Sequence, residues 1–78
     1  MDQAVKHILK LDGMLRRLTL LKHVGLSYTD ISARLGVTAQ SVRLAVRVPS
    51  TSTPLQHKIT KILQTYVAGI KHDQIWED

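Results

Sequence analysis

The chain has 78 residues, enough for one domain, and a domain of that length buries only about 60% of the surface its unfolded chain exposes. Apolar residues make up 44%, with no phenylalanine and only Tyr28, Tyr66 and Trp76 aromatic, so the core must be aliphatic; without cysteine, disulfides and thiolate metal sites are excluded. The net charge of +5 is unevenly spread: residues 16–61 hold Arg16, Arg17, Lys22, Arg34, Arg43, Arg47, Lys58 and Lys61 against Asp30 alone, which fits a surface for a polyanion and equally an ordinary solvated one.

Helical spacing dominates from the start, and neither alternating strands nor Asn-Gly or Asp-Gly hairpin turns occur. Ile8, Leu11, Leu15 and Leu18, with Leu21 near the same stripe, predict a long amphipathic first helix. Gly13 lies inside it and disfavours helix by about 1 kcal/mol relative to alanine, so a separate helix over residues 1–13 and a second starting near Asp12 is an equal alternative. Lys22 and His23 suit a helix carboxyl end and Gly25 the left-handed residue beyond it. Ser27 then caps a helix over 28–35, with Asp30 at its third position and Leu26 and Ile31 as a hydrophobic staple.

"DISARLGVTAQSV" holds the sharpest local signal. Ile31 and Leu35 turn inward, Ser32 is small where another helix approaches, and Gly36 permits a tight corner. Val37 enters the core and Thr38 caps a helix over 39–47. "VPSTSTP" is a loop, after which Thr53 caps a helix with Pro54 first and Gln56 at the capping-box position. Leu55, Ile59, Ile62, Leu63, Tyr66, Val67 and Ile70 trace its apolar stripe, and "KHDQIWED" ends in a turn that tucks Ile75 and Trp76 onto the core. The expected fold is all-α, a small bundle of four to five helices.

The helix over 39–47 divides into two faces. Val42, Ala45 and Val46 point inward, while Gln40, Arg43, Leu44 and Arg47 point outward. Gln pairs with adenine edges, Arg with guanine, and Leu touches the thymine methyl, so that outer face suits a DNA major groove. Small Ala39 and Ser41 in the first turn admit close approach, and the Thr38 hydroxyl with its neighbouring amides suits a phosphate.

Residues 28–47 resemble a helix-turn-helix of the lambda-repressor-like superfamily, through Ile31, Ser32, Leu35, Gly36, Val37 and Val42. From about Met14 onward the chain is similar to the Ner-type regulators of Mu-like phages, with their polar loop, an Ile-rich helix matching "KITKIL" and an Ile-Trp ending matching "QIW". The resemblance implies a double-stranded-DNA-binding transcriptional regulator, a phage- or prophage-type repressor. It implies base contacts from Ala39, Gln40, Ser41, Arg43, Leu44 and Arg47, and phosphate contacts from Tyr28, Thr29, Thr38, Ser50, Thr51, Ser52, Thr53 and Lys58. A symmetric operator would take a homodimer with recognition helices about 34 Å apart.

Other classes find less support. His7, His23, His57 and His72 form no HExxH or i,i+4 pair, no glycine-rich phosphate loop occurs, and the serines lack a nucleophile elbow, so neither metal, cofactor nor catalysis is expected. Arg16, Arg17 and Lys61 read as general surface charge. No apolar run approaches the roughly 20 residues of a membrane span and no signal-peptide order opens the chain, so a cytoplasmic protein is expected. The rival reading is a helix-turn-helix docking module that binds another regulator or a recombination protein through an excess of leucines at Leu9, Leu11, Leu20 and Leu21.

Overall fold

Six helices follow one another in the computed structural model, which describes residues 2–48 and 53–77. They are α1 (Gln3–Ile8), α2 (Gly13–Val24), α3 (Tyr28–Leu35), α4 (Ala39–Arg47), α5 (Thr53–Tyr66) and α6 (His72–Trp76). No strand occurs among the described residues, so the expected all-α bundle is the architecture observed, with one helix more than the upper count. Buried apolar side chains from all six helices join in a single cluster.

The amino-terminal segment is two helices. Asp2 caps α1, its carboxylate accepting from the Val5 N–H at 2.9 Å, and the chain leaves helix after Ile8 to restart at Gly13. That break resets the helical phase, which corrects the expected Ile8–Leu11–Leu15–Leu18 stripe: Leu15 is 52% exposed. The side α2 buries instead carries Gly13, Arg17, Leu20 and Leu21. Leu20 and Leu21 are therefore core, and Leu9 and Leu11 pack against it, so the protein itself occupies most of the leucine surface expected to serve a partner.

Arg17 is the larger correction, a core residue at 2% exposure rather than surface charge. Its Nε donates to the Val46 carbonyl at 2.6 Å and its Nη1 to the Ile75 carbonyl at 3.4 Å. Both acceptors lie in the last turns of helices, among the carbonyls that no intrahelical N–H can reach, and both sit at the negative end of a helix dipole. The Trp76 ring adds its π face, 5.6 Å from ring centroid to guanidinium carbon. A buried cation is costly unless compensated, and here two helix ends and an indole compensate it. Arg16 continues the arrangement, donating from Nε to the Leu11 carbonyl at 3.1 Å and from Nη1 to the carbonyls of Gln74, at 3.1 Å, and Glu77. The two arginines fasten the chain's last turn to α2, and Arg17 fastens α4 to both.

Helix α5 starts at Thr53 itself, so Thr53 occupies the first turn rather than the cap, whose position lies outside the described residues. Leu55, Ile59 and Leu63 are buried, and Val67 and Ile70 extend the stripe past the helix end. Tyr66 departs from it, exposed, with its hydroxyl accepting from Arg34 Nη2 and its ring 5.3 Å from that guanidinium. Polar Gln56 and Thr60 are buried in addition. The Thr60 hydroxyl donates to the Gln56 carbonyl at 3.0 Å, accepts Trp76 Nε1–H at 2.7 Å, and lies 2.8 Å from His72 Nδ1. With its one proton committed to Gln56, the hydroxyl receives the third bond from a protonated Nδ1. The His72 ring stacks on His57 with centroids 4.0 Å apart.

Arg17→Met keeps the side-chain bulk and removes the donors. It is expected to lower the unfolding free energy in urea by about 1–3 kcal/mol for each carbonyl left unpaired. Exposed Lys61→Met is expected to change it by less than about 0.5 kcal/mol. Equal small effects would contradict the buried clamp.

Burial, then the neighbouring His57, pushes the His72 pKa below its ordinary value of 6.5, with Asp73 acting the other way. The unfolded chain therefore takes up a proton that the folded one resists, so stability is full above about pH 6.5 and declines as pH falls below it. The melting temperature of the wild type should drop between pH 7.5 and 5 by more than that of His72→Asn. Parallel curves would contradict this assignment.

Candidate nucleic-acid interface

The helix pair α3–α4 is built from local chemistry. Ser27 accepts from the Asp30 N–H at 3.0 Å, the expected cap, and the Asp30 carboxylate accepts from the Ser27 N–H at 2.9 Å, which makes the pair a reciprocal capping box. The Ser27 backbone N–H, then the Ser27 side chain beside it and nearby Arg34, hold the Asp30 carboxyl below its ordinary range. Leu26 and Ile31, the staple pair, are both buried. At the other end of α3, Gly36 is left-handed (φ 66°, ψ 32°), and the Val37 N–H reaches back to the Ser32 carbonyl at 3.2 Å. Ser32 is buried, its hydroxyl donating to the Thr29 carbonyl at 2.8 Å, which leaves a small closed surface where α4 packs. Thr38 caps α4, its hydroxyl accepting from the Ser41 N–H at 3.1 Å and lying 2.8 Å from the Ser41 hydroxyl.

These constraints fix which side of α4 faces out. Val42, Ala45 and Val46 are fully buried. Gln40, Ser41, Arg43, Leu44 and Arg47 are exposed, and Ala39 is half-buried at the start of the helix. Among the described residues no hydrogen bond or ion pair engages the side chains of Gln40, Arg43 or Arg47. The helix bears no acidic residue, so its two arginines, four positions apart on one face, go without an internal counter-charge.

The residues expected to meet phosphates are placed unevenly. Thr29, Thr38, Thr53 and Lys58 are exposed, whereas Ser50, Thr51 and Ser52 lie outside the described residues. Tyr28 is half-buried, and its hydroxyl is buried without a hydrogen-bond partner among the described residues, so what it offers at the amino end of α3 is backbone N–H. The Asp30 carboxylate already occupies part of that end. The eight residues of α3 make a helix about 12 Å long that separates its amino end from the Gly36 corner, so the two helix amino ends make separate contact points, not one anion cradle.

The basic character of residues 16–61 also resolves by position. Arg17 is internal, Arg16 is spent on carbonyls and Arg34 leans on Tyr66. Lys22, Arg43, Arg47, Lys58 and Lys61 remain as exposed cations, two of them on the outer face of α4. Sequence reasoning passed over Val48, which stands 43% exposed four residues after Leu44; its spacing was the available signal.

Because the outer face of α4 supports nothing inside the protein, alanine at Gln40, Arg43 or Arg47 is expected to shift stability by less than about 0.5 kcal/mol. Thr38→Ala removes the cap and should lower it by about 1 kcal/mol. Thermal or urea unfolding checks both; a large loss from Arg43→Ala would mean that this face is engaged internally.

No protein-family model, curated protein or solved structure matches the chain, so any functional reading stands on this geometry and on the residue pattern.

Proposed function

We propose that the protein is a sequence-specific double-stranded-DNA-binding regulator, a Ner-like repressor of phage or prophage type, that inserts the outer face of α4 into the major groove. One observation carries the reading: Gln40, Arg43, Leu44 and Arg47 stand together on a helix whose opposite side is sealed into the core. Like charges at i,i+4 disfavour a helix slightly, by about 0.2–0.5 kcal/mol, and a polyanion in that position would reverse the sign. Arg and Gln at such sites have the donors for guanine and adenine edges, and the exposed Thr38, Thr53 and Lys58 would supply phosphate contacts. Repression follows if the bound site overlaps a promoter.

A docking module on another regulator is the second reading. What favours it is not the leucines first expected but Met14, at 47% exposure, beside Leu15 at the start of α2. The α4 face carries more of the chemistry that discriminates one ligand class from others, so the DNA reading is preferred.

Selection from a random duplex pool decides between them. The regulator reading expects one enriched motif, on which Gln40→Ala or Arg43→Ala loses about 1–3 kcal/mol while binding to random duplex changes little. Affinity should fall with salt by about 0.9 logarithmic units per phosphate neutralised, per tenfold rise in concentration. No enrichment, or binding indifferent to salt, would refute it; capture of one DNA-free protein partner through Met14 and Leu15 would favour docking.

A further inference from the structure

The outer face of α4 is divided lengthwise. Residues advance about 100° around a helix, which gathers Gln40, Arg43 and Arg47 into one sector about 60° wide and Ser41 and Leu44 into the next, also about 60° wide, with Val48 following at the carboxyl end. Val42, Ala45 and Val46 fill the sector turned to the core. The Val48 N–H still donates to the Leu44 carbonyl, at 2.7 Å, which keeps the backbone of Val48 next to Leu44 at the end of the helix, where its φ of −126° and ψ of 83° leave helical geometry. Leu44 is 40% exposed and Val48 43%, and they are i,i+4 neighbours. A ribbon of small and aliphatic groups thus runs beside a ribbon of donors.

Resting on the DNA reading above, we propose that this second ribbon is a specificity element: Leu44 and Val48 recognise the 5-methyl groups of pyrimidines, thymine in ordinary DNA, on the edge of the groove next to the bases that Gln40 and Arg43 address. The methyl is the apolar feature of the major-groove edge, and a hydrogen-bonding side chain gains nothing from it. An aliphatic side chain does, by excluding water from both surfaces. The occupant of the ribbon is fixed by what lies alongside: Arg43 and Arg47 draw a polyanion onto the same helix, and α4 has no acidic group to oppose it. Ser41, near the amino end of the ribbon and held by the Thr38 cap, keeps that end narrow enough for the groove wall.

The test removes methyls from one side and side chains from the other. The full chain is titrated with the duplex enriched from the random pool, and with versions in which deoxyuridine replaces each thymidine singly. Each substitution deletes one methyl and leaves base pairing intact. Burying one methyl is worth about a fourfold change in affinity, so one or two positions should show about a fourfold loss with the wild type. At those positions Leu44→Ala or Val48→Ala should show no loss, while Arg43→Ala, although weaker overall, should keep the fourfold ratio. Both aliphatic residues are exposed, and an unchanged melting temperature verifies that the variants fold. Three results would overturn the assignment while leaving the DNA reading intact: an enriched motif without thymine, deoxyuridine tolerated within twofold everywhere, or a loss that persists in both aliphatic variants. Failure to enrich any duplex would overturn both.

Discussion

Arg17 places a fixed positive charge in the middle of a small aliphatic protein, and the surrounding helices are arranged so that their carboxyl ends meet it. The carbonyls of Val46 and Ile75 are separated by most of the carboxyl-terminal half of the chain, yet one guanidinium binds both. Helix ends otherwise have to find water or a cap. Here the end of α4 and the end of α6 are satisfied by the same side chain, and Trp76 closes the remaining side. The orientation of α4 is consequently set at both ends, by Thr38 at its start and by Arg17 at its finish, with Val42, Ala45 and Val46 between them. A helix held in this way can present a free outer surface without depending on that surface for its own position.

This arrangement separates two uses of cationic side chains that composition alone merges. Arginines at 16 and 17 consolidate the fold, through carbonyls and an indole, and Arg34 braces Tyr66 against α3. Arginines at 43 and 47 do neither, since they project from the outer side of α4 and meet no acid there. The net charge of +5 thus does not tell which cations are held inside the fold and which stand on its surface. The buried Thr60 hydroxyl works similarly at the other side of the core, uniting α5 with His72 and Trp76 of α6. In a core built almost wholly of Leu, Ile and Val, these satisfied polar junctions add directional constraints that aliphatic packing lacks.

The legible parts of the sequence were those whose chemistry is local. The Ser27 cap, the left-handed Gly36 and the Thr38 cap each involve residues within three or four positions, and each forms where the pattern placed it. The division of α4 into inner and outer faces was equally readable, because nine residues of one continuous helix keep their phase. Phase was lost at Gly13, where a break between α1 and α2 turned Leu15 outward and Arg17 inward. The burial of Arg17 depends on carbonyls 29 and 58 positions away, and spacing along the chain carries no trace of them. The burial of Thr60 was missed for the same reason, because its partners His72 and Trp76 lie 12 and 16 positions away in α6.

Backbone amide shifts measured by NMR during titration with a short duplex of arbitrary sequence at low salt report which surface of the protein a nucleic acid touches. Non-specific binding suffices, because under the proposed reading phosphate contacts alone would bring α4 to the groove. The signals of Gln40, Ser41, Arg43, Leu44 and Arg47 are expected to move first and furthest, while those of α2 around Met14 and Leu15 stay in place. Shifts concentrated on α2, with α4 silent, would mean that the proposed face is the wrong one.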